Sequence, residues 1–223
     1  MSRRSEILAE MGLGPVWRLK VLKQESFPVS LEKKALDQKT DWQDLKTRVA
    51  GCTDCKLRAG CTQTVFGVGE PKSEWLLVGE APGAEEDRLG EPFVGQAGKL
   101  LDNMLAAIAL RRGENVFIAN VLKCRPPGNR NPEPDEVAKC APHLLRQIEL
   151  IRPRLIVAMG RFAAQTLLNT GATIASLRGR VHRYAGVPLI VTYHPAYLLR
   201  NLPDKAKAWA DLRFAVKTMS SLR

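Results

Sequence analysis

The chain has 223 residues, 45% of them hydrophobic, and 34 Lys and Arg stand against 23 Asp and Glu, for a formal net charge of +11 at pH 7. That length holds one well-buried core with room for an extension, and no apolar run approaches the ~18 residues of a membrane span. The first residues are basic without the apolar stretch of a secretory leader, so a cytoplasmic protein is expected, and its charge favours polyanions such as nucleic acid.

Residues 1–40 are rich in Lys, Glu and Ser without a sustained period. They are expected to form a loosely ordered extension ahead of a domain running from 41 to 223. Thr40-Asp41-Trp42-Gln43 has capping-box spacing, and Trp42, Leu45 and Val49 then recur at helical intervals, predicting a short helix that leads into Cys52. Five cysteines follow: Cys52, Cys55, Cys61, Cys124 and Cys140. An odd number without a secretion signal argues against a disulfide framework. The Cys52-Thr53-Asp54-Cys55 pair suits a metal better than thioredoxin-like redox chemistry, because it does not stand between a strand and a helix that it opens. Cys124 and Cys140, with 15 residues between them, supply two more ligands. Four thiolates suit zinc or an iron–sulfur cluster, and spacing does not separate the two.

Four short apolar runs of strand type come next: Trp75 to Val78, Val116 to Val121, Leu155 to Met159 and Leu189 to Tyr193. Helical patterns over Gln96 to Leu110 and Pro134 to Ile151 separate the first three, and Pro142 is expected to kink the second helix. Buried strands alternating with helices predict an α/β fold, a three-layer α/β/α sandwich around a central four-stranded parallel sheet. Functional groups of such sheets gather beyond the carboxyl ends of the strands. Strand one ends in Gly79-Glu80-Ala81-Pro82-Gly83, opening a dense acidic stretch. Strand two ends in Asn120 and Cys124, strand three in Gly160-Arg161, and strand four in His194-Pro195.

GEAPGAEEDRLGEPFVGQAGKLLDNML, then NVLKCRPPGNRNPEPDEVAKC, then TYHPAYLLR, with the Cys-x-x-Cys pair upstream, resemble the family 4 uracil-DNA glycosylases, the iron–sulfur branch of that superfamily, over roughly residues 50–215. The resemblance implies a monofunctional hydrolase that removes uracil from single- and double-stranded DNA, leaves an abasic site for base excision repair and needs no divalent metal for the chemistry. It implies a [4Fe–4S] cluster on Cys52, Cys55, Cys124 and Cys140, with Cys61 left over. Its partner is uracil-containing DNA rather than a membrane, and the enzyme is expected to be a cytoplasmic, nucleoid-associated monomer.

Each implied site residue also has a chemical rationale. An Asn side chain offers an acceptor to uracil N3–H and a donor to O4, whereas cytosine presents the opposite pattern, so Asn120 fits the base reader. His194 fits a donor aimed at uracil O2, where charge develops as the base departs. Of the other histidines, His143 is expected on a helix and His182 in a turn, both as surface or packing residues. Phe93 fits the ring that stacks on the flipped base. Ala81 stands where other uracil glycosylases carry a water-activating Asp, so another group must serve. Glu80 and Glu86 are the implied catalytic carboxylates, and Glu86 either orients water or excludes the methyl of thymine. Glu85, Asp87 and Glu91 are expected to be solvated. Leu198 is the expected wedge into the duplex, beside Leu199 and Arg200, and Arg125, Arg130 and Arg200 are candidate phosphate contacts.

Three rivals compete. A nucleotide-binding α/β protein would need a Gly-x-Gly-x-x-Gly or Walker-type Lys after strand one, and neither occurs. An iron–sulfur-stabilised DNA-binding module without glycosylase activity explains the charge and cysteines but leaves Asn120 and His194 idle. A superfamily relative that becomes covalently linked to DNA uses a His in an inserted loop after strand two. Residues 124–140 contain no His, so turnover is expected.

Overall fold

The four apolar runs lie side by side as strands in a computed structural model that describes residues 40–222. The strands β1 (Trp75–Gly79), β2 (Val116–Asn120), β3 (Leu155–Met159), β4 (His182–Tyr184) and β5 (Val187–Thr192) form one sheet in the order β2-β1-β3-β5-β4. All neighbours are parallel except β4, which runs antiparallel to β5. The extension expected over residues 1–40 lies outside the described residues except for Thr40.

The helices are α1 (Trp42–Ala50), α2 (Ala84–Leu89), α3 (Gln96–Ala106), α4 (Pro134–Ile151), α5 (Arg161–Leu168), α6 (Ile174–Leu177), α7 (Pro195–Arg200) and α8 (Asp204–Ser221). Side chains alternate across a strand, and here both sets are apolar. Leu76, Val78, Phe117, Ala119, Ile156 and Ala158 pack with Val137, Leu144 and Ile148 of α4 and Ala163 and Leu167 of α5. Trp75, Leu77, Val116, Ile118, Leu155 and Val157 pack with Leu101 and Leu105 of α3 and Ala215 and Met219 of α8. Burial on both faces is what a parallel sheet requires, and it makes the three layers.

The sheet has five strands rather than the expected four. β4 and β5 are joined by a hairpin whose two turn residues, Ala185 and Gly186, have φ of 48° and 83°, the left-handed values that a two-residue connection demands. Three residues, His-Arg-Tyr, are too short and too polar to signal a strand, and His182, expected in a turn, begins it. Its Nε2 lies 2.8 Å from the Leu177 carbonyl oxygen. α4 continues through Pro142. The cap of α1 is Asp41 rather than Thr40: its carboxylate accepts from Asp44 N at 2.9 Å, while the Thr40 carbonyl accepts from Arg146 Nε of α4 at 3.0 Å.

The segment after Cys61 runs along the outer edge of β2, with Val68 N donating to Ile118 O at 2.9 Å, Ile118 N returning the bond at 2.8 Å and Val65 N donating to Lys123 O at 2.7 Å. This pairing covers a strand edge that would otherwise be exposed, and it carries the first three cysteines toward the two that follow β2. Trp42 of α1 clamps the same corner, edge-on to Phe66 at 5.2 Å and to Phe117 at 5.3 Å. Among the described residues no helix is long and apolar enough to cross a membrane.

Candidate active site and metal centre

Gly79 and Asn120 are register partners at the carboxyl ends of β1 and β2. A Cβ on Gly79 would lie 2.4 Å from Asn120 Oδ1 and 2.6 Å from Phe93 Cζ, so only glycine lets the amide and the ring close over the strand end. Asn120 is 2% exposed, and its Oδ1 is buried without a hydrogen-bond partner. Such an acceptor costs roughly 1–3 kcal/mol.

Phe93 adopts φ of 56°, a left-handed conformation that a bulky residue takes only when its surroundings enforce it. Arg112 donates from Nη1 to Pro92 O and from Nη2 to Phe93 O, both at 2.7 Å. Gly98 lets α3 start against the same turn, since a Cβ there would meet Phe93 O at 1.7 Å. Glu86 completes the clamp. Its Oε1 accepts from Val94 N at 3.0 Å and Gly95 N at 3.1 Å, and its Oε2 accepts from Gly83 N at 3.1 Å. Both oxygens accept from backbone N–H groups, so Glu86 ties the Phe93 loop to the start of α2.

The Phe93 and His194 rings face each other at 5.4 Å between centroids, inclined by 31°. His194 caps α7, accepting on Nδ1 from Ala196 N at 3.2 Å. Burial and the nearby Arg200 pull its pKa down to about 4 against the opposing charge of Glu86. The imidazole is therefore neutral at pH 7, and because Nδ1 is an acceptor, the proton sits on Nε2. Glu80 follows β1 directly, and burial holds its carboxyl up at about 7, with Arg161 pulling the other way. Ala81 is half-buried beside it and contributes no polar group.

The expected wedge, Leu198, is 1% exposed because the helical turn of α7 directs it inward. Leu199 is 41% exposed and Arg200 is exposed. Arg130 is engaged by Glu136, with Nη1 donating at 2.9 Å and Nη2 at 2.5 Å, which removes it from the free phosphate contacts. Asp87, expected in solvent, is 5% exposed and accepts from Thr62 N at 3.0 Å and Thr62 Oγ1 at 2.9 Å, pinning the segment after Cys61 to α2.

Cys52, Cys55, Cys124 and Cys140 line one cavity together with Lys123 and His143, whereas Cys61 does not line it. Burial pushes the thiols of Cys52, Cys124 and Cys140 up, and Cys61 adds to the shift at Cys124. Buried neutral thiols become thiolates when a metal supplies the opposing charge. Lys123 is fully buried: its Nζ donates to Asn120 O at 2.9 Å and Gln147 Oε1 at 2.6 Å, and its N–H donates to Cys140 Sγ at 3.2 Å. Burial draws the lysine down to about 8, and Cys140 raises it. The residue next to a cysteine of the cavity thus holds the backbone of Asn120. Lys123 and Arg112 carry no motif, and only the neighbours the fold gives them mark them out.

Residues 66–213 match the model of the uracil DNA glycosylase superfamily. The chain is 51% identical over 164 residues to the type-4 uracil-DNA glycosylase of Archaeoglobus fulgidus, covering 70% of this chain and 82% of that protein. It is 45% identical over 167 residues to the type-4 enzyme of Sulfurisphaera tokodaii, covering 71% and 76%. With that of Pyrobaculum aerophilum it shares 44% over 180 residues, covering 77% and 91%. The chain belongs to the uracil DNA glycosylase superfamily and, within it, stands with the type-4 enzymes.

Proposed function

We propose that the protein hydrolyses the N-glycosidic bond of uracil in single- and double-stranded DNA and leaves an abasic site. The observation that carries this reading is the buried, unpartnered Oδ1 of Asn120 beside Phe93 and His194. Uracil N3–H satisfies that acceptor, and the amide N–H₂ meets O4. Cytosine offers an acceptor at N3 and a donor at C4, leaving the buried amide unpaired, a mismatch that sites of this kind reject by ~10⁴–10⁵. Phe93 stacks on the flipped base, with the strain of its backbone held in advance by Arg112 and Glu86. As the C1′–N1 bond opens, negative charge gathers on uracil O2 and Nε2–H of His194 meets it. Ionised Glu80 stabilises the positive sugar and takes a proton from the attacking water. Leu199 enters the gap in the duplex and Arg200 meets a phosphate.

Cys52, Cys55, Cys124 and Cys140 hold a [4Fe–4S] cluster. The buried Lys123, whose backbone N–H donates to Cys140 Sγ, supports a group of net negative charge in the cavity. When bound, the cluster supplies a structural tie between the segment before β1 and the segment after β2, apart from the bond-breaking chemistry.

The test is cleavage of a labelled oligonucleotide containing one uracil, without added metal, followed by hot alkali. Strand scission that depends on both uracil and alkali supports a monofunctional glycosylase. Scission before alkali, or none with folded, coloured protein, overturns it.

A further inference from the structure

His143 has no part in uracil chemistry, yet it is 3% exposed, and both of its ring nitrogens are buried without a hydrogen-bond partner. A neutral imidazole carries one N–H donor and one acceptor, and leaving both unmade in a protein interior is costly. The ring lies on α4 and lines the cavity of the four cysteines. One ring nitrogen, Cys52 Sγ and a carboxylate oxygen of Asp54 lie within 4.8 Å of one another. Asp54 is exposed and can be satisfied by water, whereas the histidine nitrogens are buried and the residue lines the cavity.

Once Cys52 ligates iron, its sulfur has no proton to donate and becomes an acceptor. We infer that His143 donates a ring N–H to the Cys52 thiolate of the metal-loaded protein, serving as a positioning residue that retains the cluster and raises its reduction potential. Hydrogen bonds to cluster sulfurs spread negative charge away from the metal, favouring the reduced state. Groups that hold a metal's ligands in this way commonly change its affinity by 10–100-fold when removed. The inference rests on the cluster reading above and goes beyond it, because it concerns a residue outside the four cysteines.

The experiment compares wild type, His143→Leu and His143→Asn. Iron and acid-labile sulfide are first measured in the wild type; their absence would overturn the cluster reading and this inference together. With the cluster present, H143L should lose iron to a ferrous chelator ~10–100-fold faster than wild type, and its potential should move negative. H143N keeps an N–H donor and should stay near wild type in both. Equal potentials in wild type and H143L would overturn the inference while leaving the cluster standing. Should H143L fail to fold, wild type labelled with ¹⁵N-histidine decides by electron–nuclear coupling in the reduced state. A weak ¹⁵N coupling supports the hydrogen bond, and either no coupling or one as large as direct ligation overturns it.

Discussion

Both oxygens of Glu86 are taken up by backbone N–H groups, while Glu80 keeps a half-buried carboxyl that burial holds up at about 7. Only ionised Glu80 can stabilise a cationic sugar or accept a proton. Uracil release should therefore rise with pH through about 7 and level off above it, falling about tenfold per unit on the acid side. Since His194 stays neutral down to about 4, the limb near 7 should disappear in Glu80→Gln; a limb that survives there in the kcat/KM profile contradicts the assignment. Leu198 and Leu199 separate in the same way. Leu199→Ala should weaken release from duplex DNA more than from single strands at unchanged thermal stability, whereas Leu198→Ala should cost about 2–5 kcal/mol of folding stability as a buried leucine. Calorimetry and paired substrates distinguish them. Asn120 and His194 are legible in the sequence because each closes an apolar strand run. Which leucine points outward, and which carboxylate accepts from the backbone, depends on where a short helix packs and where backbone N–H groups converge, and neither leaves a trace in residue order.

Strands β1, β2, β3 and β5 and helices α3 and α4 are also legible, because both faces of the sheet are covered and apolar runs mark them, whereas α8 carries no such signal in the sequence reading. β4 is not, since a three-residue polar strand exists only by pairing with β5. The acidic run after β1 conceals a second lesson at this scale. Asp87 reads as one more solvated carboxylate, yet it holds the segment after Cys61 through Thr62. Asp87→Ala should remove its hydrogen bonds to Thr62, at about 1 kcal/mol each, and should speed iron loss while uracil recognition is retained; a variant as stable as wild type in thermal unfolding counts against this tie. The segment that follows β2 links Asn120 to the cysteine cavity, through Lys123 to Cys124. Lys123→Met should thus lower both kcat and cluster retention, and a loss confined to one of them would break the link.

For the whole molecule, a net charge of +11 attracts phosphates. DNA affinity should fall linearly on logarithmic axes with salt, by about 0.9 per phosphate contacted. A group bound only by the native state stabilises it, so chelating the iron should lower the unfolding temperature. An unchanged temperature after complete iron removal would argue against a structural cluster.

The most direct test of the account is single-turnover uracil release by wild type, Asn120→Ala and His194→Ala, with each protein's visible absorbance recorded beforehand. Preorganised donors of the His194 kind are worth about 3–4 kcal/mol. The account predicts that each variant keeps its colour and fold and releases uracil at least ~10²-fold more slowly. Release at the wild-type rate by both variants would contradict it.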